Sequence, residues 1–168
     1  ETELIELDAT ENKSKLGANA ILSISLACAR AASNSMKISL YEYLNIMYKG
    51  VSNKNSTMSL PVPMLNIMNG GCHANNSVDI QEFMIIPSNK FNFKDGLMKS
   101  VEVYTHLKNL LIEKGLSVSV GDEGGFAPNL KTSEEVLDLI ILSIERAGLI
   151  YLDDISIALD CAASELFN

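Results

Sequence analysis

The chain has 168 residues, of which 47% are hydrophobic, and a formal net charge of −8 at pH 7. That length fits one ordinary domain, and the apolar fraction is typical of globular proteins and too high for a disordered one. The negative charge argues against nucleic acid as a partner, because its phosphates would be repelled, and is compatible with cation binding. No stretch approaches the roughly 20 apolar residues that a membrane helix needs.

Cysteine usage and the first residues indicate a cytoplasmic protein. Cys28, Cys72 and Cys161 are an odd number with no tight spacing, which is typical of reduced thiols and not of a disulfide framework. C-x-x-C does not occur, so a structural zinc site is not expected. The chain opens on Glu1 without the basic region of a signal peptide, and the missing initiator methionine is typical of a fragment or a processed product.

The N-terminal part is predicted to be helical. Ser14–Ser33 is rich in alanine and other small residues, which predicts a closely packed helix whose first serine is the N-cap. Leu40–Met47 predicts a second helix, and Tyr48–Ser59 has the polar, mixed composition of an exposed linker. We therefore expect a domain boundary in this linker, which divides the chain into residues 1–56 and 57–168.

The larger part combines strand and helix patterns. Its predicted elements are, in chain order, strand Pro61–Met68, strand Val78–Ile86, helix Phe93–Lys114, a helix from Thr132 to Gly148, and strand Ile155–Leu159. This order indicates the opening part of an α/β barrel. Because a complete barrel takes about 250 residues and three strands leave an open edge, we expect an incomplete barrel domain.

The first long helix of this part has a clear periodic pattern. Asn92 is its predicted N-cap, as Thr132 is for the second helix. The i, i+3, i+4 rhythm predicts one buried stripe. The residues of that stripe are Leu97, Val101, Tyr104, Leu107 and Leu111.

Three segments carry polar residues of catalytic type. Gly121–Pro128 reads GDEGGFAP, which sets Asp122 and Glu123 between glycines directly after a short apolar run. The other two segments are Asn66–Pro87 and Asp160–Glu165, each next to a predicted strand. An α/β barrel builds its site from side chains on its strands and at their C-terminal ends. The alternative for the glycine-rich segment is a turn whose acids point at water.

The other polar residues also have structural interpretations. His73 on a glycine turn could hydrogen-bond its own loop, and Gln81 on a strand could be a satisfied core amide. Asp160 could cap the turn that follows it. Glu82 is harder to explain structurally, because a buried unpaired carboxylate is costly.

Together the motifs resemble those of the enolase family, over nearly the whole chain and in the order in which the family carries them. Those of the larger part are Leu60–Met64 (LPVPM), Asn69–Ala74 (NGGCHA), Gln81–Met84 (QEFM), Gly121–Pro128 (GDEGGFAP) and Leu159–Glu165 (LDCAASE). Asp8–Leu22 resembles the helical part of the family's N-terminal domain. The sequence of Asn75–Ile80 (NNSVDI) resembles that of the bacterial branch of the family more closely than that of its other branches.

The resemblance implies a reaction and a role for each site residue. Enolases interconvert 2-phosphoglycerate and phosphoenolpyruvate. Glu123 resembles the acid that protonates the departing hydroxide, and Glu82 resembles a carboxylate that assists it. His73 and Gln81 match positions that contact the substrate, and Asp160 matches the first of three carboxylate ligands of Mg²⁺. Magnesium prefers oxygen ligands, and a divalent cation stabilises the dianion that builds up when the substrate loses a proton.

The fold implied is the opening part of an enolase-type α/β (TIM-like) barrel, preceded by helices of an N-terminal α+β capping domain. The proton-abstracting lysine, the phosphate-holding arginine and serine and the other two metal ligands are expected beyond Asn168. We therefore expect an active parent enzyme, while the present chain alone is expected to be inactive. The alternative function is a non-catalytic, enolase-like binding or surface protein. The family also implies a homodimer or higher oligomer in the cytoplasm, with a cell-surface or secreted pool in some members.

Overall fold

The computed structural model describes residues 2–52, 58–71 and 77–166. The chain divides into two compact units, Glu1–Ser59 and Leu60–Asn168. The first unit contains helices α1 (Thr2–Asp8), α2 (Ala18–Met36) and α3 (Leu40–Ser52).

A buried carboxylate organises the turn between α1 and α2. Asp8 accepts hydrogen bonds from the Thr10 hydroxyl, from the Thr10 amide at 3.1 Å and from the Leu16 amide at 2.6 Å. The Thr10 hydroxyl and then the Leu16 amide hold the pKa of Asp8 below its usual range, because both favour the charged form. These bonds fix the chain just before Gly17, whose φ of 85° suits a residue without a Cβ.

Two predictions for the first unit were wrong in their boundaries. Helix α2 begins at Ala18 with Gly17 as its N-cap, and the Ser14 amide instead donates to Thr10 Oγ1 at 2.8 Å. The reason is that Asp8 holds the preceding residues in turns. Helix α3 continues to Ser52, so the start of the predicted linker is helical, while residues 53–57 lie outside the described part of the chain.

The second unit is built on a three-stranded sheet with the order β1-β2-β3. Its strands are β1 (Leu65–Asn69), β2 (Glu82–Pro87) and β3 (Ile155–Asp160), and both neighbouring pairs are antiparallel. The third predicted strand is confirmed. The second begins at Glu82 and not at Val78, because the carbonyls of Val78 and Gln81 accept hydrogen bonds from the glycine turn after β1.

A one-residue β-bulge in β1 changes which side chains of that strand lie on each face of the sheet. Asn66 pairs with Met84 and Asn69 pairs with Glu82, while the register shifts between Asn66 and Met68. Directly paired residues of antiparallel strands share a face, and residues two apart on one strand share a face. Because of the extra residue, Ile67, both asparagines therefore lie on the same face as Glu82 and Met84.

The opposite face of the sheet is apolar and belongs to the core. Phe83 pairs with Met68 on one side and with Leu159 on the other, and Ile85 pairs with Leu65 and Ile157. Phe83 and Ile85 are fully buried. The core continues through helices α4 (Phe93–Glu113) and α5 (Ser133–Arg146), and a short 3₁₀ helix (Ala163–Leu166) follows β3.

Helix α4 buries only part of the predicted stripe: Leu107 and Leu111 are buried as predicted, and Tyr104 packs against the core. Leu97 and Val101 are exposed, whereas the buried positions include Gly96, Ser100 and Val103. A Cβ added at Gly96 would lie 3.0 Å from Pro87 Cγ, so small residues let the start of the helix approach the end of β2. The full buried set is Gly96, Ser100, Val103, Leu107, Leu110 and Leu111.

Both predicted N-caps of the second unit are confirmed. The Asn92 side chain accepts a hydrogen bond from the Asp95 amide at 2.9 Å, and the Thr132 hydroxyl accepts one from the Glu135 amide at 3.3 Å. These bonds satisfy amide groups that have no partner inside the first turn of a helix.

An ion-pair cluster ties the loop after β2 to the turn before β3. Lys90 Nζ lies 2.7 Å from Asp153 Oδ2 and 2.8 Å from Asp154 Oδ1. The Ser88 amide also donates to the Asp154 carbonyl at 2.7 Å. The Lys90 ammonium and then the Ile150 amide hold the pKa of Asp154 below its usual range, and Asp153 and then Asp154 raise the pKa of Lys90.

Replacing Leu107 tests the packing of α4. Leu107 is fully buried in the core, and Leu107→Ala is expected to lower the free energy of unfolding by about 2–5 kcal/mol, because it removes apolar contacts and leaves a cavity. Urea unfolding measures this change. The control Met98→Ala, at an exposed position of the same helix, should cost less than about 0.5 kcal/mol. Equal losses in the two variants would contradict the assigned helix face.

The Lys90 cluster predicts a pH dependence of stability. Because the pKa of Asp154 is lowered on folding, its contribution is present above the unfolded value of about 3.9 and is lost as pH falls through the folded value. Because the pKa of Lys90 is raised, its contribution is present below about 10.4 and is lost as pH rises through the folded value. Lys90→Met should therefore destabilise the protein at neutral pH and make little difference at either extreme.

Urea unfolding across pH measures the difference between the Lys90→Met variant and the wild type. The control is Lys94→Met, an exposed position to which the described residues offer no ion pair. A difference between Lys90→Met and the wild type that stays constant from acid to alkaline pH would contradict the electrostatic account.

Candidate active site

Two of the predicted site carboxylates lie side by side at one end of the sheet. Glu82, the first residue of β2, pairs with Asp160, the last residue of β3. On its other side Glu82 pairs with Asn69, the last residue of β1. Neighbouring strands lie about 4.8 Å apart, so Asn69, Glu82 and Asp160 form a polar row across the three strands on one face.

Glu82 lies at the N-terminal end of its strand and not at the C-terminal end, as the barrel pattern predicts. The barrel pattern predicts site residues at the C-terminal ends of parallel strands; β2 instead runs antiparallel to both neighbours, so its N-terminal end joins the C-terminal ends of β1 and β3. The sequence holds a signal for this reversal. The connection Gly70–Gln81 has no helical pattern, whereas parallel strands are joined by a crossover that is usually helical.

The glycine-rich segment with Glu123 is attached to the other edge of β1. The Phe126 amide donates to the Ile67 carbonyl and the Asn69 amide donates to the Phe126 carbonyl, both at 2.9 Å. The Gly121 amide donates to the Gly125 carbonyl at 2.8 Å, which closes a tight turn around Glu123. In the short apolar run before this turn, Val120 forms an isolated bridge with Phe126.

The Glu123 carboxylate is held by a side chain of β1. Asn66 Nδ2 donates to Glu123 Oε2 at 3.2 Å. Asn66 lies on the face that carries Glu82, because of the bulge at Ile67. The bond therefore directs Glu123 to the same face of the sheet as Glu82 and Asp160.

Gly125 makes the close approach between the turn and β1 possible. A Cβ at this position would lie 2.2 Å from Asn69 Oδ1, closer than a side-chain carbon can come, and 3.0 Å from the Met68 amide nitrogen, which is a very tight contact. Asn66 Oδ1 would be 3.1 Å away. The absence of a side chain at Gly125 thus allows Asn66 and Asn69 to lie directly beneath the turn.

The remaining predicted site residues have different positions. Gln81 is partly buried next to the start of β2, and its carbonyl accepts a hydrogen bond from the Gly70 amide at 2.9 Å. Asp122 is exposed on the turn beside Glu123. His73 lies outside the described residues, as does Cys72.

Asp160 caps the turn that follows it, which is the structural role that the sequence left open for this residue. Its Oδ1 accepts a hydrogen bond from the Ala162 amide at 2.9 Å, at the turn before the 3₁₀ helix. This bond orients an exposed carboxylate, whose oxygens are the ligand type that Mg²⁺ prefers. Within residues 2–52, 58–71 and 77–166, no group of three or more His, Cys, Asp or Glu side chains could hold a metal ion.

Comparison with protein families decides what the chain is related to. Residues 57–168 match the family model for the enolase C-terminal TIM barrel domain, and residues 1–44 match that for the enolase N-terminal domain. The chain belongs to the enolase family. The predicted fold class, an enolase barrel domain preceded by an N-terminal domain, is confirmed. In the described part of this enolase-family chain, no helix has the length and apolar character required to cross a membrane.

Sequence reasoning missed Asn66, Asn69 and Tyr104. Asn66 and Asn69 interrupt an apolar strand with amides, and a buried amide needs hydrogen-bond partners, so their presence was a usable signal. Tyr104 lies on α4, yet its hydroxyl donates to the Gly124 carbonyl at 2.9 Å. Nothing in the local pattern of α4 separates Tyr104 from an ordinary core aromatic.

Gly125→Ala tests the close approach of the turn to β1. The added methyl would overlap Asn69 Oδ1 and crowd the backbone of Met68, so the turn must move and the protein is expected to lose about 1–3 kcal/mol of stability. Thermal and urea unfolding measure the loss. Gly50→Ala is the control, because a Cβ at this position in the last turn of α3 meets nothing within 4 Å, and the change should be neutral or stabilising by up to about 1 kcal/mol. A neutral Gly125→Ala would contradict the proposed packing.

Proposed function

We propose that this chain is part of an enolase that interconverts 2-phospho-D-glycerate and phosphoenolpyruvate plus water. The observation that carries the proposal is the arrangement of Glu82, Glu123 and Asp160 around one face of the three-stranded sheet, in a chain of the enolase family. Three carboxylates from distant parts of the sequence gather there on a rigid scaffold.

Glu123 is proposed as the general acid of the reaction. Hydroxide is a poor leaving group, so a positioned proton donor assists its departure. The side chain of Glu123 extends from a tight glycine turn and is held by Asn66, so it has a fixed direction and remains exposed to a ligand. Glu82 is proposed to assist from the adjacent strand, and His73 and Gln81 are proposed to contact the substrate.

Asp160 is proposed as a ligand of Mg²⁺. When bound, the cation supplies positive charge that stabilises the dianion formed on proton loss, as divalent ions do in enolase-superfamily sites. Asp160 offers an exposed carboxylate whose orientation is set by the Ala162 amide. Mg²⁺ is commonly held by one or two carboxylates together with waters and substrate oxygens, which is compatible with a single ligand from this chain.

The proposal extends to the organisation of the protein. A complete barrel takes about 250 residues, so we propose that the chain belongs to a longer enolase and is inactive alone. The family-model matches end at 44 and begin again at 57, which supports a domain boundary between residues 56 and 57. A cytoplasmic homodimer or higher oligomer, and a bacterial-type sequence, are part of the same proposal.

Substitution of the three carboxylates tests the proposed roles in the complete enolase that contains this chain. Glu123→Gln and Glu82→Gln should each lower kcat by roughly 10²–10⁴-fold, the typical contribution of general acid–base catalysis. Asp160→Asn should raise the Mg²⁺ concentration needed for half-maximal activity. The assay is the absorbance of phosphoenolpyruvate formed from 2-phosphoglycerate with excess Mg²⁺.

The control for these substitutions is Glu145→Gln, an exposed position on α5, which should keep wild-type turnover. Wild-type kcat in Glu123→Gln would contradict the assigned acid. A folded, complete wild-type protein without any turnover would favour the non-catalytic binding role instead.

A further inference from the structure

The Glu123 turn receives side-chain hydrogen bonds from two different elements. From β1, Asn66 Nδ2 donates to Glu123 Oε2 at 3.2 Å. From α4, the Tyr104 hydroxyl donates to the carbonyl oxygen of Gly124, the next residue, at 2.9 Å. One bond reaches the carboxylate itself and the other reaches the peptide group that follows it.

From this arrangement we infer that Tyr104 is a positioning residue for Glu123, acting through the Gly124 carbonyl. The inference rests on the proposed role of Glu123 as the acid. It adds to that role a residue of helix α4, which donates a hydrogen bond to the peptide group that follows Glu123.

Tyr104 is itself held in place by aromatic stacking. Its ring stacks on Phe126 with centroids 4.4 Å apart and an angle of 14° between the planes. Phe126 is buried, and its backbone is bonded to β1 through Ile67 and Asn69. The hydroxyl therefore has a fixed position relative to the strand on which the turn rests, which a donor on a mobile side chain would not have.

The Tyr104 hydrogen bond matters for the position of Gly124 because this residue has no side chain that could pack against its neighbours. Its φ is +85°, in the left-handed region that favours glycine, and a Cβ there would meet nothing within 4 Å. Packing therefore does not fix the Gly124 peptide from that side. Burial raises the pKa of the Tyr104 phenol above its ordinary value, so the hydroxyl keeps its proton at neutral pH and continues to donate.

The consequence for catalysis follows from the sensitivity of proton transfer to geometry. A catalytic group must lie within hydrogen-bond reach of the proton that it transfers, and a displacement of about 1 Å can cost roughly 100-fold in rate. Loss of the Tyr104 hydrogen bond should leave the turn attached to β1 but let the Glu123 carboxylate occupy a wider range of positions. Loss of the Tyr104 hydrogen bond should therefore lower kcat and leave KM nearly unchanged.

Tyr104→Phe in the complete enolase is the test, because it removes only the hydroxyl and keeps the ring that stacks on Phe126. We expect kcat to fall about tenfold with KM within about twofold. Tyr151→Phe is the matched control, since Tyr151 is a partly buried tyrosine packed against the same core, and it should keep wild-type kcat. Wild-type kcat in Tyr104→Phe, or an equal loss in Tyr151→Phe, would overturn the inference.

The double variant with Glu123→Gln separates positioning from general destabilisation. If Tyr104 acts through Glu123, adding Tyr104→Phe to Glu123→Gln should lower kcat no further, because coupled residues are non-additive. A further tenfold loss in the double variant would overturn the inference and leave the role of Glu123 intact. Wild-type kcat in the single variant Glu123→Gln would instead overturn the proposed function and the inference together.

Amide hydrogen exchange gives a readout that does not depend on activity. The Gly124 amide donates to the Gly121 carbonyl at 3.1 Å within the turn. Tyr104→Phe should accelerate exchange at Gly121 and Gly124 and leave that at Phe126 unchanged. Unchanged exchange at all three amides would contradict the positioning role.

Discussion

The bulge between Asn66 and Met68 on β1 determines which side chains of that strand face the candidate site. In a regular strand two residues three apart point to opposite faces. With Ile67 as the extra residue, Asn66 and Asn69 share the face of Glu82 and Asp160, while Met68 joins Phe83 in the core. A bulge next to a site commonly re-aims a side chain in this way.

Strand β1 serves as the common support of the site because both of its edges are bonded. One edge pairs with β2, which carries Glu82, and the other bonds Phe126, which anchors the Glu123 turn. Gly125 permits the turn to lie against the strand without a side chain between them. The turn that carries the proposed acid is thereby attached to the sheet that carries the proposed metal ligand, which limits the entropy cost of bringing them together.

The sequence predicted the elements of the second unit better than their faces. Periodicity located α4 because its apolar residues recur at helical spacing, and its cap at Asn92 has a local chemical cause. The start of the buried stripe was misjudged because Gly96 and Ser100 are not apolar, yet both are buried, and Gly96 packs closely against Pro87 at the end of β2. Such contacts depend on the partner element, which local sequence does not contain.

In the candidate site, too, the sequence indicated the residues, whereas their arrangement depends on tertiary contacts. The family motifs indicated Glu82, Glu123 and Asp160, whereas the residue types alone left structural interpretations open for Glu123 and Asp160. The antiparallel direction of β2, the bulge and the contact of Tyr104 with Gly124 arise from tertiary pairing. Periodicity describes each segment alone, so it did not reveal that Glu82 and Asp160 would be partners in register.

The measurement that tests the central claim most directly is a crystal structure of the complete enolase with Mg²⁺ and 2-phosphoglycerate bound. The account predicts that Glu123 lies within about 2.6–3.2 Å of the departing hydroxyl of the substrate, or one water away. It also predicts Asp160 as a ligand of Mg²⁺, with Glu82 and Asn66 on the same face of the sheet. A substrate bound elsewhere, with Glu123 directed into bulk water and Asp160 bonded only to its own turn, would contradict it.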